Sequence, residues 1–192
     1  MPTIRGHGPA PRATRRQGGR HDRAARQTAF TIIEILIVVV ILGILAAFVV
    51  PQFSNASHVA RENSLKDDLR YLRPQILVFK AQHRDSPPGY PGGNTNAVPT
   101  ESDFIAQMTK ASNERCQVNP ATTSAFPLGP YIQKMPPNPL NGQAAVLVVR
   151  NGLPLPTTYQ GTTYGWIYKP ETQEIIANSD KKDGNGVPYM QY

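Results

Sequence analysis

One carboxylate, Glu34, stands inside the run from Phe30 to Val50, whose other side chains are all uncharged. A helix through such a run rises about 1.5 Å per residue and reaches roughly 30 Å, enough to cross the hydrocarbon core of a bilayer. An acid in that setting costs about 2.5–3.5 kcal/mol at mid-membrane and less near an interface. It therefore marks a functional position and calls for a cationic partner. Elsewhere the residues capable of chemistry are sparse. Cys116 is the only cysteine, which leaves no internal disulfide and no thiolate metal cluster within this sequence. His58 and His83 are the nearest candidate bases to it, and nothing in their spacing makes a nucleophile–base pair. His83, at the end of a helical pattern, reads as a hydrogen-bonded boundary residue. No phosphate-binding loop is present. The chain is expected to need no cofactor and not to be an enzyme.

The flank of the apolar run supplies direction. Residues 1–29 carry seven arginines against Asp22, which accounts for +6 of the chain's net charge of +7. The high isoelectric point thus belongs to the leader, and no basic patch interleaved with aromatics suggests nucleic acid. Arginines directly before a spanning helix hold that end in the cytoplasm and place the remainder across the membrane. Three fates are open to the leader: removal after Ser54-Asn55-Ala56 as a secretory signal, retention as an anchor, or cleavage between Ala29 and Phe30. The third leaves the apolar helix in the mature protein.

Ala29-Phe30-Thr31-Ile32-Ile33-Glu34-Ile35 resembles the prepilin signature of type IV pilins and of the pseudopilins of type II secretion systems. That signature is a small residue, a cut, Phe, Thr, two aliphatics, Glu and a further aliphatic. Gly43 and Pro51 fall where that family often carries a helix-loosening Gly and a Pro ending the first apolar stretch. Leu72-Arg73-Pro74-Gln75-Ile76, followed by Phe79-Lys80 and His83, is similar to the stem of major pseudopilins. Ala29 departs from the Gly that the family prefers before the cut, which implies slower cleavage. The resemblance implies processing at Ala29 and Phe30 by a prepilin peptidase, which also methylates the new amine. It further implies assembly with other pseudopilins by an inner-membrane platform and a cytoplasmic ATPase.

The cut gives Glu34 its partner. Cleavage before Phe30 creates an α-amino group that is cationic or nearly so at neutral pH. An amine and a carboxylate in hydrocarbon are each costly alone and favourable as a pair. With neighbouring helices offset along their axes, Glu34 of one subunit meets the Phe30 amine of the next, so that pairing sets the assembly register. The alternative is that Glu34 snorkels to the headgroups or pairs within its own chain. Phe30 and Glu34, four apart, are expected on one helix face. Gly43 to Pro51 is expected to be a weak helical segment able to bend or partly melt during packing. Pro51 would otherwise simply mark the membrane exit.

Past Pro51 the spacing of Leu65, Leu69, Leu72, Ile76, Phe79 and His83 draws one apolar stripe of an amphipathic stem, with Pro74 bending it locally. Ser86-Pro-Pro-Gly ends that helix. Glu101 to about Ser112 reads as a short helix capped by Thr100 or Ser102, with Phe104, Ile105 and Met108 on its apolar side. Residues 113–143 are irregular. Ala144–Arg150 is β-like, and Tyr164–Tyr168 with Glu174–Ala177 suggests a hairpin. Asp180-Lys-Lys-Asp183-Gly-Asn185-Gly invites a calcium reading, and the resemblance implies calcium in this region. Its spacing, however, fits no EF-hand, no bidentate Glu follows, and two lysines sit inside it. It reads as a solvated turn without metal ligands.

The expected fold is α+β and pilin-like, with a long N-terminal helix packed on a small antiparallel sheet. The expected divisions are a leader (1–29), an assembly helix (30–51), an amphipathic stem (52–85) and a periplasmic head (86–192). The head, about 110 residues with the stem end, has one modest core and little room for a cleft. The expected function is a structural filament subunit, most similar to a type II secretion pseudopilin of the major type. Two alternatives remain open here: a type IV pilus subunit for adhesion, motility or DNA uptake, and a monomeric membrane-tethered binding module.

Overall fold

The computed structural model describes residues 30–192, and at positions 51 and 53–55 the backbone alone. The leader and Ala29 lie outside the described residues. The chain divides between Ala46 and Ala47 into two compact units.

Helix α1, Ile32–Gln82, runs through Gly43, Pro51 and Pro74 without a break. Residues 43–51, expected to be weak, are helical here. Pro74 lacks an N–H and frees the carbonyl of Arg70. The helix nevertheless continues to Gln82, with Arg70 and Pro74 both on its exposed side. In the first unit every described residue is exposed. The stretch Ile32–Val50 is 19 residues long and entirely unburied, a length that spans about 28 Å as helix.

The second unit is built on the stem. Leu65, Leu72, Ile76, Phe79 and His83 are fully buried and Leu69 nearly so, which is the stripe that the spacing predicts. Such a stripe contributes about 1.5–3 kcal/mol per large apolar side chain buried. It packs against Phe104 and Met108 of helix α2, Glu101–Thr109, and against Trp166, Tyr168, Ile175 and Ala177. The Thr100 hydroxyl caps α2 by accepting the Asp103 N–H at 3.1 Å. The helix stops at Thr109, short of Ser112, because Ala111–Ser112 (β1) pairs antiparallel with Val118–Asn119 (β2).

The larger sheet holds three strands: β3, Val146–Val148; β4, Trp166–Lys169; and β5, Glu174–Ala177. The expected hairpin forms, with Trp166 opposite Ala177 and Lys169 opposite Glu174. Strand β3 joins β4 in parallel, so the sheet is mixed and not wholly antiparallel. The connection, residues 149–165, is long enough for the crossover that a parallel pair requires. Trp166 and Tyr168 face the stem, whereas Ile167 packs on the opposite side with Val149, Ile176 and Met190. Buried asparagines order the irregular segments. Asn138 donates to the Gly165 carbonyl at 2.7 Å and accepts from the Leu140 N–H at 2.9 Å. Asn178 donates to the carbonyls of Gly161 and Tyr164 and accepts from the Gln160 N–H.

Candidate assembly site

The N-terminal site begins with a cap. Helix α1 opens at Ile32, and the Thr31 hydroxyl accepts the Glu34 N–H at 3.2 Å while the Thr31 carbonyl accepts it at 3.1 Å. Thr31-x-x-Glu34 is thus one half of a capping box. The signal for it in the sequence is the Thr–Glu spacing of three at the start of the apolar run. The reciprocal bond, from the Thr31 N–H to the Glu34 carboxylate, does not occur among the described residues. No ion pair within the described residues engages Glu34 either. In the first turn its negative charge faces the partial positive charge of the helix N-terminus.

Phe30 lies before the helix and is 73% exposed. The expected sharing of one helical face by Phe30 and Glu34 is therefore absent in this state, because a capping residue takes a non-helical backbone and Thr31 occupies that place. At Gly43 an added Cβ would meet nothing within 4 Å. Close packing inside the described residues is not what places a glycine there.

The remaining candidates are structural. His83 is wholly buried and stacks on Phe79, with ring centroids 3.7 Å apart. Its Nδ1–H donates to the Phe79 carbonyl at 2.6 Å, and Nε2 then accepts from the Ser112 hydroxyl at 2.9 Å. Burial holds its pKa below the ordinary histidine value, partly opposed by the bond to Phe79. The hydrogen-bonded reading of His83 holds, though in the core and not at its boundary. Cys116 is buried, and desolvation pushes its thiol above the usual range, against a hydrogen bond with Ser86. That is the opposite of what a nucleophile needs.

Asp183 spends both carboxylate oxygens internally. Oδ1 accepts the N–H groups of Asn185 and Val187, each at 2.8 Å, and Oδ2 accepts the Tyr192 hydroxyl at 2.7 Å. Among the described residues no group of three His, Cys, Asp or Glu side chains could hold a metal. Within the 180–185 segment Asp183 is thus engaged by its own backbone and by Tyr192, while Asp180 is exposed. A cleft of about 600 Å³ between Arg73, Leu77, β5 and Met190 has no His or Cys in its lining. Arg73 at its edge donates to the carbonyls of Ile175 and Tyr192.

Comparison with known proteins bears on the same segment. Residues 24–50 match the family model described as the prokaryotic N-terminal methylation motif. Type II secretion system core protein G of Klebsiella pneumoniae is 30% identical over 114 residues, covering 59% of this chain and 69% of that protein. The protein of the same name from Dickeya chrysanthemi is 28% identical over 172 residues, 85% of this chain and 98% of its own length. That of Pseudomonas aeruginosa reaches 44% identity over 55 residues, 29% of this chain and 39% of its own. No solved structure matches the chain. An apolar N-terminal helix bearing the methylation motif, with a stem packed on a small α+β head, defines a membrane-anchored subunit of pilin-like type. Within that class the chain belongs to the type II secretion system core protein G family, the major pseudopilins.

Proposed function

We propose that the chain is stored in the bacterial inner membrane as a single-span precursor, its arginine-rich leader in the cytoplasm and its head in the periplasm. A prepilin peptidase cuts between Ala29 and Phe30 and methylates the new amine. An inner-membrane platform, driven by a separate cytoplasmic ATPase, then draws subunits into a short pseudopilus. The chain works there as a structural subunit beside other pseudopilins, with residues 30–51 bundled inside and the head covering the fibre. Glu34 and the Phe30 amine of a neighbour form the registering pair, and Gly43 with Pro51 lets the helix adapt to the bundle.

The observation that carries this reading is the methylation motif over residues 24–50 in a chain similar to core protein G along most of its length. The Glu34 carboxylate in the first turn of α1, which makes no ion pair among the described residues, supports its role in pairing. That core protein G similarity favours secretion over an adhesive or motile pilus. N-terminal sequencing with mass analysis of the mature protein tests the processing step. A start at Phe30 carrying one methyl group is expected. An intact leader, or a start at Ser57, would overturn the proposal.

A further inference from the structure

A basic notch of about 320 Å³ is lined by His58, Arg61, Leu140, Lys181, Lys182 and Tyr189. It joins two distant parts of the chain. His58 and Arg61 lie one above the other on α1, just before Leu65, the first stem residue buried in the core. Lys181 and Lys182 are pinned beside them by backbone. The Tyr189 N–H donates to the Lys181 carbonyl at 3.1 Å, and Lys182 bridges to Pro188. The Tyr192 hydroxyl, within 3.1 Å of Glu62 on the next helical position, ties that segment to the stem.

Among the described residues the cations of the notch, Arg61, Lys181 and Lys182, make no ion pair, whereas two of the neighbouring acids, Glu62 and Asp183, are occupied. Glu62 is taken by Lys66 at 2.6 Å, and Asp183 by two backbone N–H groups and Tyr192. Of the nearby carboxylates only Asp180 stays exposed. Residues 30–192 together carry a net charge of only +1, so this clustering is local and not a reflection of a basic head.

Position selects the ligand. Counting from Val50, where the apolar span ends, His58 and Arg61 lie about 12 and 16 Å along the helix. The headgroup layer is about 5–8 Å thick on each side. The stem cations therefore sit within about one Debye length, 8–10 Å, of its outer surface. We propose that this notch docks the head on anionic phospholipid headgroups, holding the unassembled subunit against the bilayer. This rests on the reading that Ile32–Val50 spans the membrane. Extraction into a filament would then have to break these contacts as well as remove the apolar helix from lipid.

The test uses the full chain in nanodiscs of phosphatidylcholine, with or without phosphatidylglycerol. A donor dye on Asn185→Cys, with buried Cys116 unreactive, reports energy transfer to headgroup-labelled lipid. Higher transfer in the anionic discs is expected, reversed by high salt. Changing Arg61, Lys181 and Lys182 to Gln should lower the docked-to-undocked ratio about fivefold per cation removed. Equal transfer in the two lipids, or an unchanged triple variant, overturns the notch while leaving the anchor intact. Displacement of the head by millimolar inorganic phosphate would assign the notch to a free anion and overturn the lipid reading. Failure of the chain to enter the discs at all overturns the membrane span and this inference with it.

Discussion

Glu34 and His83 show how two ionisable residues in apolar surroundings are used in opposite ways. Glu34 keeps a carboxylate unpaired within the described residues while its own N–H is capped by Thr31. The proposed assembly supplies a neighbour's amine as its partner, since stranding such a charge costs about 3–5 kcal/mol once water is excluded. His83 instead has both ring nitrogens satisfied and its face covered by Phe79. Burial lowers its pKa from the ordinary 6.5. The neutral ring is favoured in the folded state, while the unfolded chain takes up a proton below about pH 6.5. Stability from this residue is therefore complete above that pH and declines as pH falls towards the lowered folded value. Thermal unfolding of the detergent-solubilised chain should shift to lower temperature between about pH 7 and pH 5.5. In His83→Gln that slope should be largely absent. The spacing of the stem placed His83 on the apolar stripe. Its second partner, Ser112, lies 29 residues away and had no local signal.

At the scale of elements, legibility followed the range of the interactions. The stem was plain because a helix repeats its buried positions every three or four residues, and each of the six stripe positions is buried. Helix α2 and its Thr100 cap were legible for the same local reason. The β4–β5 hairpin was legible from two β-rich runs around Lys169-Pro-Glu-Thr-Gln173. The parallel seat of β3 was not, because the choice between parallel and antiparallel pairing is made by a connection without a periodic pattern. Nor was the long-range work of Asn138 and Asn178, which read only as loop formers. Gly165 is where these segments converge. It accepts from Asn138 and from the Asn178 N–H, and a Cβ there would overlap the Gln143 carbonyl. Gly165→Ala should destabilise the head by about 3 kcal/mol, the upper part of the range for overpacking. Chemical denaturation with Trp166 fluorescence as the probe checks it, and an unchanged midpoint would show that the backbone yields.

For the whole molecule, the charge is divided by place. Nearly all the net charge is in residues 1–29, the segment that the proposed processing would remove. The described part keeps an unburied apolar helix, a head with one main core, and a basic notch lined by the start of the stem and the C-terminal segment. The candidate site was legible through motif and hydropathy, since Glu34 is conspicuous in 21 otherwise uncharged residues. The Thr31 cap was legible only in the Thr–Glu spacing of three, and the notch was not legible, because it joins positions over 120 apart. The central claim is that Glu34 acts between subunits. The most direct measurement is the fraction of Glu34→Ala subunits in isolated filaments, set against their amount in the membrane, with and without wild-type chain. Alone, the variant should accumulate in the membrane with a mature Phe30 terminus and form few filaments. With wild type in excess it should enter at a low fraction, because its own amine can still meet a neighbour's Glu34. Incorporation in proportion to its membrane level would contradict the pairing.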